Sequence, residues 1–145
     1  KRALYVFLIV LSVVVLDQAT KYLIITNLSP YDSREIFPFL HIVHVRNTGA
    51  AFGMFKNLGS TFFIIYLLRN NFYNKSPCEK TYSTVGLSLI LGGALGNLID
   101  RVLYGKVVDF VDFSVGTFHW PAFNVADSSL TIGIAVILVA YLFKK

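Results

Sequence analysis

Carboxylates and carboxamides stand at positions of this sequence where an apolar environment makes them costly. Asn97, Asp100 and Arg101 fall at i, i+3 and i+4 within an apolar run and so share one face of a helix. Asn124, Asp127, Ser128 and Thr131 form a second polar stripe at helical spacing, and Asp17 and Lys21 lie four apart in a third apolar run. An ionisable side chain within a membrane span costs about 2.5–3.5 kcal/mol on insertion scales, so each of these groups needs a partner or a water-filled cavity and is a functional-site candidate. Asp109 sits in Val107-Val108-Asp109-Phe110-Val111-Asp112-Phe113. Such surroundings raise the pKa of a carboxyl, which suits proton sharing near neutral pH. Composition alone gives Asp112 an equal claim to that part.

Two carboxyls held close together cannot both ionise. They share a proton, one acting as base toward a water while the protonated partner polarises a carbonyl. This chemistry needs two acids and a water, and the reading expects no metal and no organic cofactor. A serine mechanism would want a nucleophile elbow or a serine–lysine or serine–histidine arrangement, and Ser128-Ser129 has no flanking glycine turn. Cys78 is the only cysteine, which removes every multi-cysteine metal site. His41 and His44 lie in a strand-like run whose odd spacing sends them to opposite faces, so they and His119 read as surface or packing residues.

Each polar residue also has a structural reading. Asp17–Lys21 and Asp100–Arg101 can be ion pairs that hold helices together. Asn124 and Asp127 open a helix, where an N-cap and an acid near the positive end of the dipole are both expected. Convergence favours function: three separate spans bring carboxylates or amides to one membrane depth, which capping alone does not require. Gly92 and Gly96, a small-xxx-small pair, let a neighbouring helix come close to that face.

The elements that position these residues follow from composition. With 55% hydrophobic and 14% charged residues, the chain is too apolar for an ordinary soluble domain. The net charge of +5 is scattered rather than gathered into a groove, which argues against nucleic acid and for anionic lipid as partner. Lys1-Arg2 and the apolar run after it resemble a signal peptide, but no small-residue cleavage site follows, and the segment reads as a retained first span. The chain opens on Lys1, so a few native residues are expected ahead of it.

Spans are expected over about residues 3–25, 59–76, 85–103 and 126–143 in a single domain covering 1–145. The second span turns polar after Leu68, with Arg69, Asn70, Asn71, Asn74 and Lys75. Glu35 to Phe55 and Lys106 to Trp120 read as short strands and turns, which must avoid lipid because irregular backbone cannot satisfy its N–H and C=O groups there. The fold expected is a membrane all-α bundle of four transmembrane helices with a small extramembrane β element on the outer face. Basic residues at the ends and between the second and third spans put both termini in the cytoplasm. Seven carboxylates (Asp17, Asp32, Glu35, Asp100, Asp109, Asp112 and Asp127) then fall on the outer half, which disfavours the rival reading of a small transporter with acids spread through the membrane depth.

Five motifs occur in order along nearly the whole chain: Asp17-Gln18-Ala19-Thr20-Lys21, Asn47-Thr48-Gly49-Ala50-Ala51-Phe52-Gly53, Gly96-Asn97-Leu98-Ile99-Asp100-Arg101, Val107-Val108-Asp109-Phe110 and Phe123-Asn124-Val125-Ala126-Asp127-Ser128. In these the sequence resembles the signal peptidase II family. The resemblance implies an aspartic endopeptidase of the bacterial cytoplasmic (inner) membrane, with its site at the outer face, that cuts the signal peptide from a prolipoprotein just before a diacylglyceryl-modified cysteine. By motif, Asp109 and Asp127 match the catalytic dyad, which selects Asp109 over Asp112. Asp17, Lys21, Asn47, Gly49, Asn97, Asp100, Arg101 and Asn124 match positions that shape or support the site. The implied partners are lipid-modified prolipoproteins and membrane lipids, with the chain acting as a monomer. The departure from the family pattern is the polar end of the second span.

Overall fold

The computed structural model describes residues 2–48 and 77–142, with the side chains of residues 77–80 excepted. The expected second span over 59–76 and the site candidate Gly49 lie outside the described residues. Helix α1 runs over Arg2–Asn27, α2 over Pro77–Tyr104 and α3 over Val125–Leu142. At 1.5 Å rise per residue, even the 18 residues of α3 extend about 27 Å, close to the thickness of a hydrocarbon core. The third span expected over 85–103 lies within α2, and the first and last match α1 and α3 to within two residues at each end.

Burial runs opposite to that of a water-soluble helix. In α1 the exposed side chains include Leu4, Phe7, Leu8, Leu11, Val15 and Leu16, whereas the buried ones are Val13, Asp17 and Lys21. Apolar groups face outward, as a lipid solvent permits, and the charges turn toward the other helices. Helix α2 packs against both α1 and α3. Ile90, Leu130 and Ile137 form the apolar centre of its contact with α3, flanked by Leu87, Ala94 and Ile134.

Toward the site, small residues replace that apolar packing. A Cβ on Gly96 would stand 2.6 Å from Asp17 Oδ2, so only glycine lets α1 bring its carboxylate against α2. At the end of α2, Gly105 takes φ +68° and donates its N–H to the Arg101 carbonyl at 3.0 Å, closing the helix and turning the chain into the next strand.

Strands β1 (Ser33–Phe37), β2 (Leu40–Asn47), β3 (Val107–Val115) and β4 (Phe118–His119) form one antiparallel sheet in the order β1-β2-β3-β4. The two strand-rich patches of the sequence therefore join across β2 and β3, with Asn47 opposite Val107 and His41 opposite Asp112. The register shifts between Ile42 and Val45, where β2 carries one residue more than β3, and β3 is itself kinked at Phe110–Val111, whose consecutive N–H groups both donate to the Phe123 carbonyl, at 3.0 and 2.9 Å. This bulge interrupts the alternation of β3 between Asp109 and Asp112; beyond it, Phe113 and Val115 share one face and Asp112 and Ser114 the other.

Candidate active site

The site forms where the C-terminal half of α1, the end of α2, the start of β3 and the N-terminus of α3 meet. Asp17 and Asp100 are completely buried and Lys21 is 2% exposed. The Lys21 ammonium reaches Asp17 Oδ2 at 2.8 Å, Asp100 Oδ2 at 3.0 Å and Asn97 Oδ1 at 3.1 Å, so each of its N–H groups has an acceptor. One cation between two acids leaves a buried net charge of −1 in this group, which backbone donors relieve: Ala126 N–H donates to Asp17 Oδ1 at 2.9 Å and Val108 N–H to Asp100 Oδ2 at 3.0 Å. The first contact ties α1 to the opening turn of α3, and the second ties α2 to the start of β3. The two carboxylates thereby fix the elements that carry Asp127 and Asp109.

Sequence reasoning passed over Gln18 as an individual residue. Its side-chain N–H groups donate to Asp100 Oδ1 at 2.9 Å, the Gly96 carbonyl at 3.1 Å and Asp17 Oδ2 at 3.2 Å, bridging the two acids. The signal was present, since Gln18 is an amide within an apolar span directly after Asp17.

Asn124 caps α3: its Oδ1 accepts the Asp127 N–H at 2.9 Å. Its Nδ2 points the other way, donating to Asp109 Oδ1 at 2.7 Å, to Asn97 Oδ1 at 3.2 Å and to the Val108 carbonyl at 3.2 Å. Asn97 Nδ2 donates to Asp127 Oδ1 at 2.9 Å, and Asn47 Nδ2 donates to Asp109 Oδ2 at 3.1 Å. Capping and site-building are thus one arrangement rather than alternatives. Arg101, the remaining motif residue, donates to the Asn97 carbonyl of its own helix at 3.4 Å, a weak contact.

The two carboxylates differ in their surroundings. Both oxygens of Asp109 accept amide N–H bonds, whereas Asp127 Oδ2 accepts none from the described residues. Burial raises the Asp109 pKa to about 6, with the nearby Asp127 charge pushing the same way, against the lowering effect of the Asn47 and Asn124 hydrogen bonds and the Lys21 charge. Asp112, three residues beyond Asp109 on β3, pairs instead with His119, Nδ1 to Oδ2 at 2.7 Å. His44 is buried, its Nδ1 bonded to the Leu28 carbonyl at 2.8 Å, and His41 lies partly exposed on the sheet.

Residues 9–143 match the family described as signal peptidase (SPase) II. The chain belongs to the signal peptidase II family. Among curated relatives, the lipoprotein signal peptidase of Thermodesulfovibrio yellowstonii is 49% identical over 145 residues, covering 99% of this chain and 96% of that protein. The lipoprotein signal peptidase of Staphylococcus aureus strain MRSA252 is 45% identical over 140 residues, covering 93% of this chain and 86% of that protein. A solved bacterial membrane enzyme, determined by the in meso method at 2.3 Å resolution, superposes with a TM-score of 0.73 at 44% identity, covering 95% of this chain and 87% of its own. A second, at 1.9 Å resolution, gives a TM-score of 0.73 at 42% identity, covering 97% and 94%. Family membership makes the chain a peptidase, and three apolar helices of spanning length fit a membrane protein of this family.

Proposed function

We propose that the chain removes signal peptides from diacylglyceryl-modified prolipoproteins, cutting before the lipidated cysteine by an aspartic mechanism in which Asp109 and Asp127 form the dyad. The observation that carries this reading is the amide bridge between them: Asn124 holds Asp109 Oδ1 at 2.7 Å, Asn97 holds Asp127 Oδ1 at 2.9 Å, and the two asparagines meet at 3.2 Å. Two acids from different elements are thereby aimed at one place. With its pKa near 6 and both oxygens receiving N–H donors, Asp109 is mostly ionised at neutral pH and takes a proton from the attacking water. Asp127, whose Oδ2 accepts no hydrogen bond from the described residues, carries the proton that polarises the scissile carbonyl. As the tetrahedral intermediate collapses, the proton taken by Asp109 passes to the leaving amine.

Asp17, Lys21, Asn97, Asp100 and Asn124 hold the two acids in register, and Asn47 orients the outer oxygen of Asp109. Gly49 and Arg101 support the site by family pattern. The substrate's lipid has a matching surface. Phe113, Val115, Phe118, Trp120 and Phe123, from β3, β4 and the segment leading into α3, line an apolar cleft of about 360 Å³. We place the chain in the bacterial inner membrane as a single domain over 1–145 with four spans, both termini in the cytoplasm and the site at the outer face, acting as a monomer.

The test is cleavage by the purified full chain of two precursor peptides identical except for diacylglyceryl modification of the cysteine. The proposal expects a single cut immediately before the cysteine in the modified peptide only. Equal cleavage of both peptides, or cutting elsewhere, contradicts it.

A further inference from the structure

The sheet carries a polar cluster that shares no hydrogen bond with the dyad. His41 is the register partner of Asp112 and His119 that of Ser114, so these four residues project from the same side of β2, β3 and β4. The His41 and His119 rings stand 5.9 Å apart between centroids, tilted by 46°. Each ring uses Nδ1 within the sheet: His119 with Asp112 Oδ2 at 2.7 Å, and His41 with Ser114 Oγ at 3.3 Å. With hydrogen on both Nδ1 atoms, each Nε2 keeps its lone pair, and neither Nε2 has a partner among the described residues. The Asp112 residue is 8% exposed, and its Oδ1 is buried without a hydrogen-bond partner among the described residues, so its charge is directed at His119 alone.

From this geometry we infer that His41 and His119 form a binding site for a borderline divalent transition metal such as Zn²⁺, with Asp112 acting through His119. A metal-bound nitrogen lies about 2.0–2.1 Å from zinc, which puts ring centroids on a shared tetrahedral ion roughly 5–6 Å apart. The observed separation falls in that range. A carboxylate accepting the Nδ1–H of a ligating histidine fixes its tautomer and raises its basicity, and Asp112 is placed to do this for His119. Imidazole ligands select zinc, copper and nickel over magnesium or calcium. No group of three or more His, Cys, Asp or Glu side chains surrounds a common metal position among the described residues, so water completes the coordination. Bound metal ties β2 to β4 across β3.

This inference is independent of the proteolytic mechanism, and its test is a binding measurement. The full chain, carrying no polyhistidine tag, is titrated with Zn²⁺ in detergent micelles by calorimetry, and with Cu²⁺ under electron paramagnetic resonance to count nitrogen ligands. The expected result is one saturable site per chain, two coupled nitrogens, and weakening of Zn²⁺ affinity by about 10- to 100-fold in Asp112→Asn, the range for loss of an outer-shell partner. His41→Ala and His119→Ala should each abolish stoichiometric binding while keeping the parental helical circular dichroism. Absence of saturable Zn²⁺ binding in the parent, or parental affinity in either folded histidine variant, overturns the assignment.

Discussion

Asn124 donates its side-chain N–H to Asp109 Oδ1 at 2.7 Å while its own Oδ1 accepts the backbone N–H of Asp127 at 2.9 Å. One amide thus serves as helix cap and as the link between the two acids. The two roles separate by substitution. Asn124→Asp keeps a capping oxygen but replaces the N–H donor with another negative charge beside Asp109. It should lose about 100-fold or more in kcat/KM and keep a thermal midpoint closer to the parent than Asn124→Ala. Asn124→Ala loses both functions, and its cap alone is worth about 1 kcal/mol. Steady-state cleavage and thermal denaturation in micelles read the two effects separately.

Lys21 is the only cation contacting the buried acids Asp17 and Asp100 among the described residues. Lys21→Met keeps the side-chain length and leaves two carboxylates buried against one another. Removing one partner of a buried ion pair costs about 3–5 kcal/mol, so this variant should be strongly destabilised or fail to accumulate. Lys21→Met combined with Asp100→Asn should recover part of that loss. Detergent-unfolding midpoints test this, and equal midpoints for Lys21→Met and the parent would contradict the burial described for the network.

Much of this arrangement was legible in the sequence. Asp17 with Lys21, Asn97 with Asp100 and Arg101, and Asn124 with Asp127 each stand out because polar residues at helical spacing within apolar runs need one another. The strand patches were also legible, from β-branched residues broken by Pro38 and the glycines. What one sequence could not supply was pairing between distant elements. The contacts that separate Asp109, held by Asn47 and Asn124, from Asp112, held by His119, come from other elements, and the apolar run around both acids carries no sign of them. The role of Gln18 depends on Gly96 and Asp100 lying across an interhelical contact, about 80 residues away along the chain.

That interhelical contact gives a steric prediction. A Cβ at position 96 would stand 2.6 Å from Asp17 Oδ2, so Gly96→Ala must push α1 away from α2 or displace the Asp17 carboxylate from Lys21. Overpacking of this kind costs about 1–3 kcal/mol. Gly116→Ala, in the turn before β4 with open space around it, should lose less and only through its positive φ. Thermal midpoints of the two variants should rank in that order.

Asp109 also gives a pH dependence with a defined sign. Its pKa is raised from 3.8 to about 6 in the folded chain, so the folded state binds this proton more tightly than the unfolded one. The stability it contributes is fully present below 3.8 and is lost as pH rises through about 6. Asp109→Asn should therefore gain stability relative to the parent between pH 4.5 and 7, a range over which the contribution of Asp109 fades, by up to about 2–3 kcal/mol. Activity moves the opposite way, because the base must be ionised: kcat/KM of the parent should fall on the acid side of about pH 6.

The most direct test of the dyad is cleavage of a diacylglyceryl-modified precursor by the reconstituted parent beside folded Asp109→Asn, Asp127→Asn and Asp112→Asn variants. The account predicts that the first two lose cleavage by at least about 1000-fold, while Asp112→Asn, whose carboxyl pairs with His119 rather than with the dyad, stays within a few-fold of the parent. Near-parental cleavage by either Asp109→Asn or Asp127→Asn would contradict it.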